Sequence, residues 1–175
     1  SHMTTMYAYA LYSRGYVRAG YQILKSIYEL STNTRSAQIY PGVPEYISSR
    51  GRGMYSYVTG AGSWIIFLML TQVYGVRGKL GNLWIEPKLV REQFTSSNVL
   101  VTETSFMGKD LSISFYNRES LDYGEYQLGE ICINDEVWDE QINGMHVELQ
   151  WSEMEKKLIS NKKNKISIEF VRKKG

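Results

Sequence analysis

Apolar positions recur along this chain with two different periods. Between residues 5 and 74 they fall three and four apart. Met6, Tyr7, Tyr9, Ala10 and Leu11 open one helix that Gly15 can end as a left-handed cap, and Tyr21, Leu24, Ile27, Tyr28 and Leu30 carry the same spacing through a second. Residues 31–62 then hold Pro41, Gly42, Pro44, Gly51, Gly53, Gly60 and Gly62, too many breakers for a helix, which predicts a long loop. A loop of that length inside a compact domain is usually functional. After Ser63, the run Trp64-Ile-Ile-Phe-Leu-Met-Leu70 is apolar on every side and predicts a buried helix, closed by Gly75. Beyond Gly78 the period shortens to two. Residues 83–86, 99–106, 111–116, 125–133, 146–151 and 165–171 read as strands, with Gly108-Lys109, Asn134-Asp135 and Asn143-Gly144 as turns, and such spacing predicts a small antiparallel β-sandwich.

Composition narrows the function classes more than it selects one. The 175 residues allow one ordinary domain or two small ones, with 43% hydrophobic and 22% charged residues. Fourteen tyrosines and four tryptophans fit sugar binding and a packed core equally well. A net charge of +2 does not call for a nucleic-acid partner. Lys156, Lys157, Lys162, Lys163, Lys165, Arg172, Lys173 and Lys174 read as a solvated face and tail. Cys132 is the single cysteine, so a disulfide framework is excluded and a reducing, cytoplasmic compartment is expected. The longest apolar run, residues 64–70, is far short of the roughly 20 residues a bilayer requires, so no membrane partner is expected. His2 and His146 are far apart in sequence, which predicts neither a metal site nor a catalytic triad.

Chemistry concentrates in Arg50-Gly-Arg-Gly-Met-Tyr-Ser-Tyr-Val-Thr-Gly-Ala-Gly-Ser-Trp64, where a glycine-rich, arginine-bearing loop runs into a helix. Free N–H groups and the positive end of the helix dipole make such a start an anion site, and glycines allow close approach. Thr59 fits a phosphate ligand and equally a helix N-cap. Arg50 and Arg52 fit charge near a sugar or phosphate, and equally surface ion pairs.

Taken in order, Tyr40-Pro-Gly-Val-Pro-Glu-Tyr46, Arg50-Gly-Arg-Gly-Met-Tyr55, Tyr57-Val-Thr-Gly60 with Trp64, Tyr74-Gly-Val-Arg77 and Leu83-Trp-Ile-Glu-Pro-Lys-Leu89 form a specific series. It resembles the C-terminal part of the inverting glycoside phosphorylases of glycoside hydrolase family 94, which includes cellobiose, chitobiose and β-1,2-oligoglucan phosphorylases. The resemblance covers most of the chain, most strongly residues 6–89. It implies an α+β fold in which residues 4–78 are the last helices and active-site loop of an (α/α)6 barrel, followed by an antiparallel β-sandwich over residues 79–175. The implied reaction moves a glucosyl unit from a β-glucoside to inorganic phosphate with inversion: an aspartate protonates the leaving oxygen while phosphate attacks the opposite face. No cofactor is implied; phosphate is a co-substrate, and a β-glucoside or glucose 1-phosphate is the other partner.

The family's phosphate-binding Thr-Gly pair falls on Thr59 and Gly60, although Ala61-Gly62 follows where the family has two other small residues. A family phosphate-binding histidine, in a Ser-His-x-Asn-like segment before a helix, falls on His2. Ser1-His2-Met3 also has the letters left by a cleaved expression tag. Arg50, Arg52, Glu45 and Tyr55 are the candidate substrate contacts. The general-acid aspartate has no counterpart: Asp110, Asp122, Asp135 and Asp139 all fall in the sandwich half, so the chain alone is expected to be inactive. Its helices are expected to expose an apolar face for the remaining barrel or for a second copy, as a homo-oligomer. An alternative is a carbohydrate-binding or assembly module whose sandwich exposes Tyr116, Tyr123, Tyr126, Trp138 and Trp151.

Overall fold

A computed structural model describes residues 1–39, 42–55, 60–94, 96–139 and 142–173. The chain is α+β and divides into two compact units, Ser1–Val73 and Tyr74–Gly175.

The first unit is helical. Helix α1 (His2–Ser13) and helix α2 (Val17–Thr32) form an antiparallel pair joined through Gly15, whose φ of 81° only glycine adopts freely. Gly20 lies inside α2 at a propensity cost of about 1 kcal/mol. Packing explains it: a Cβ there would stand 2.5 Å from the Tyr12 ring, so the glycine lets α1 and α2 approach over that fully buried tyrosine. A short helix α3 (Thr34–Ala37) follows, then strands β1 (Tyr46–Ile47) and β2 (Gly53–Met54), which pair as a small antiparallel hairpin.

Helix α4 (Gly60–Leu68) starts before the predicted Trp64 and continues into a π-helical turn, Met69–Val73. It is not buried all round. Ala61 and Leu68 are covered, and Tyr9 of α1 packs its ring on Trp64 and Phe67, but Ile66 stays 70% exposed and Phe67 48%. An all-apolar helix needs neighbours on every side, and among the described residues of this unit α1 is the helix packed broadly against α4, which leaves part of its surface open.

The second unit is built of β3 (Val76–Lys79), β4 (Asn82–Ile85), β5 (Val99–Phe106), β6 (Lys109–Tyr116), β7 (Tyr126–Ile133), β8 (Glu136–Val137), β9 (Val147–Leu149), helix α5 (Trp151–Lys157) and β10 (Asn164–Arg172). Two sheets result, ordered β3-β4-β9 and β5-β6-β10-β7-β8. Three tight turns, Leu80-Gly81, Met107-Gly108 and Asn134-Asp135, put both central residues at positive φ, which continues the twist of the flanking strands. The expected all-antiparallel arrangement fails at one pair. β10 inserts between β6 and β7, antiparallel to β7 but parallel to β6, from Asn164 opposite Leu111 to Glu169 opposite Tyr116. Alternation dictates which residues face inward, not the direction of the neighbouring strand.

Leu111, Ile113 and Phe115 of β6, Ile131 and Ile133 of β7, and Ile166 and Ile168 of β10 are fully buried. In β7 the alternation slips once: Gly129 and Glu130 together oppose Glu169, a β-bulge that keeps Leu128 and Ile131 both inward.

Candidate anion site at the start of helix α4

The base of the β1–β2 hairpin places Glu45. Its N–H donates to the Tyr55 carbonyl at 3.0 Å, and the preceding Pro44 is buried, with Gly53 so close that a Cβ there would meet the proline ring at 3.0 Å. From that anchor the carboxylate reaches two groups distant in sequence. Oε2 accepts the Ala61 N–H of the first turn of α4 at 3.1 Å, and Oε1 lies 2.8 Å from His2 Nδ1. The His2 amide in turn donates to the Glu45 carbonyl at 3.4 Å, while Thr5 Oγ1 donates to the His2 carbonyl at 2.7 Å and stitches the start of α1. A negative charge at a helix N-terminus meets both an orphan N–H and the positive dipole end. The Ala61 N–H accordingly holds the Glu45 carboxyl below its usual range, against an opposing push from burial and with further help from the His2 hydrogen bond.

His2 lies directly against Gly60. A Cβ at Gly60 would stand 2.4 Å from His2 Cε1 and 2.9 Å from Nε2, so the ring occupies the space a side chain would fill. Among the described residues, Nε2 has no hydrogen-bond partner. An imidazole with one free nitrogen thus sits beside the glycine that opens α4. Because Glu45 already takes the Ala61 N–H, that amide of the helix start is not free.

Of the candidates read from the sequence, His2, Glu45 and Gly60 come together here. Glu45, read as a substrate contact, spends both carboxylate oxygens on Ala61 and His2. Arg50 and Arg52 lie at the exposed hairpin tip, where the Ser48 N–H donates to the Arg52 carbonyl at 2.8 Å, and among the described residues neither guanidinium has an ion-pair partner. Tyr55 is exposed, with its ring edge-on to Tyr46 at 5.8 Å. Thr59, like Tyr57, lies outside the described residues. No local signal marks Glu45 as the partner of His2, because tertiary approach alone joins them.

In the second unit, His146 stacks on Trp84 at 4.1 Å while Lys79 covers the ring at 3.7 Å, so this indole face is occupied. Tyr126 and Trp138 are buried, which removes two of the five aromatics an exposed sugar platform would need. Several of the terminal lysines are paired: Lys156 with Glu153, Lys157 with Glu136 and Lys163 with Glu103. Among the described residues there is no metal-holding group of three or more His, Cys, Asp or Glu, and no helix is long and apolar enough to cross a membrane.

A scan against protein-family models finds no match to the chain, and a search of curated proteins finds none either.

Proposed function

We propose that the chain is the C-terminal part of an inverting glycoside phosphorylase of the family 94 type, and that the start of α4, with His2 and Gly60, holds the inorganic phosphate. On this reading α1, α2 and α4 are the last helices of an (α/α)6 barrel and the second unit is its β-sandwich. The observation that carries it is the meeting of His2 and Gly60 at one helix N-terminus. The resemblance puts Gly60 at the family's phosphate site and also His2, whose Ser1-His2-Met3 setting equally has the letters of a cleaved tag, and the two lie far apart in the first unit's sequence.

The chemistry follows from the geometry. Phosphate beside His2 Nε2 is held by a hydrogen bond and by the α4 dipole, facing the anomeric carbon of a β-glucoside. A phosphate oxygen forms the new bond to that carbon as the glycosidic C–O bond breaks on the opposite face. On this reading the proton for the leaving oxygen comes from the family's general-acid aspartate, which has no counterpart among the matched residues of this chain. The exposed Met3, Tyr7, Tyr28, Ile66 and Phe67 of the first unit fit helices packed against neighbours in such a barrel.

The test is titration of the chain with inorganic phosphate, followed by phosphorus NMR and calorimetry. Saturable binding is expected, weakened about 10- to 100-fold by His2→Ala through loss of a hydrogen bond to a charged group. Gly60→Ala is expected to weaken it similarly by displacing the ring. Absence of saturable binding, or binding indifferent to both substitutions, counts against the proposal. Glucose 1-phosphate offered with glucose-containing acceptors is expected to yield no phosphate from this chain alone.

A further inference from the structure

We propose that Glu45 is a positioning residue of the phosphate site: its carboxylate holds the His2 imidazole by Nδ1 and leaves Nε2 as the atom that meets the anion. This rests on the phosphate reading above and adds to it a residue whose role no motif gives. An ionised carboxylate only accepts hydrogen bonds, so the 2.8 Å contact commits His2 Nδ1–H as the donor. The ring is also confined from its other side, where the Gly60 backbone leaves no room for so much as a Cβ.

The carboxylate is itself fixed, by the Ala61 N–H on Oε2 and by the hairpin hydrogen bond from its own N–H to Tyr55. A single side chain thereby sets the orientation of the imidazole relative to the helix start. Among the described residues, Glu45 is the one charged side chain paired with His2. As imidazolium, His2 donates Nε2–H to a phosphate oxygen; as neutral ring, Nε2 accepts the hydroxyl proton of hydrogenphosphate. Both modes require Nδ1–H to stay turned to Glu45. At metal sites, loss of the carboxylate or carbonyl that orients a ligating histidine weakens binding by about 10- to 100-fold, and a comparable loss is expected here.

Nitrogen-15 NMR of the histidine-labelled chain reads this directly, with His2→Ala separating the His2 signals from those of His146. In the unsubstituted chain the neutral ring is expected to carry its proton on Nδ1, and added phosphate is expected to move the Nε2 signal. Glu45→Gln is expected to give a mixture of tautomers and a phosphate affinity about tenfold lower. Glu45→Asp, which keeps the charge on a shorter arm, should recover part of both. Thermal unfolding of each variant runs alongside, and the tautomer of the unsubstituted chain tests the idea even if Glu45→Gln fails to fold.

An unsubstituted chain with its proton on Nε2 overturns the proposal, as does a folded Glu45→Gln chain with unchanged tautomer and affinity. A held Nδ1–H tautomer with no phosphate response instead overturns the phosphate reading, and leaves Glu45 as a helix cap.

Discussion

Glu45 and Glu86 are both kept ionised below the usual carboxylate range, by different means. For Glu45 the largest influence is the Ala61 N–H, which favours the carboxylate; burial opposes it and His2 assists. For Glu86 burial is the largest single influence and pushes its pKa up, but the Arg77 hydrogen bond, the nearby Lys88 and Arg77 charges and the Trp84 indole N–H together outweigh it. A carboxyl lowered in the folded state stabilises the fold fully above its ordinary value of 4.5, and that contribution is lost as pH falls through the lower folded value. The urea midpoint is therefore expected to hold steady at neutral pH and to fall below about pH 4.5, with a shallower acid limb in Glu45→Gln and in Glu86→Gln. Acid limbs as steep in both variants as in the parent chain would show that neither carboxylate is coupled to folding.

At the scale of elements, the start of β10 depends on one buried amide. Asn164 Oδ1 accepts from Asn134 Nδ2 and from the Ile159 N–H, both at 2.7 Å, while Nδ2 donates to the carbonyls of Ile159 at 3.2 Å and Lys162 at 3.1 Å. This ties the β7–β8 turn and the segment after α5 to the strand that completes the five-stranded sheet. Asn164→Ala removes the hydrogen bonds of a fully buried amide and leaves its partly buried partners unpaired, which is expected to cost about 2 to 4 kcal/mol, read as a lower urea midpoint by tryptophan fluorescence. A loss within about 0.5 kcal/mol, typical of a surface substitution, would mean that water replaces the amide. Most of the strands here were legible, because period-two alternation survives wherever one face is buried, as along β6 and β10, and persists along β5 between half-buried and exposed positions. The parallel β6–β10 pair was not, since partner direction leaves no mark in alternation. Nor was α5: Trp151 extends the pattern of Val147 and Leu149, and the helix shows only through Glu153 at its start and Lys156 and Lys157 at its end. The candidate site was legible in halves. Motif resemblance marked His2 and Gly60, whereas the bridge through Glu45 exists only once the hairpin and α4 are folded.

At the scale of the whole chain, the two units differ in how completely each encloses its apolar residues. The second buries Leu111, Ile113, Phe115, Ile131, Ile133, Ile166 and Ile168 completely, a core drawn from three adjacent strands. The first buries Tyr12, Ala8 and Leu68, but leaves Met3 75% exposed, Tyr28 66% and Ile66 70%. If those residues belong to a barrel with further helices, the first unit should be the weaker when isolated. Residues 74–175 produced alone are expected to unfold in one cooperative urea transition, because their buried side chains come from within that span. Residues 1–73 produced alone are expected to bind a hydrophobic dye such as anilinonaphthalene sulfonate and to lack a sharp transition, since covering about 100 Å² of apolar surface contributes roughly 2.5 kcal/mol and several such surfaces remain open. A sharp transition without dye binding for residues 1–73 would show that this helical unit needs no neighbours, and would remove the main structural support for placing it in a barrel.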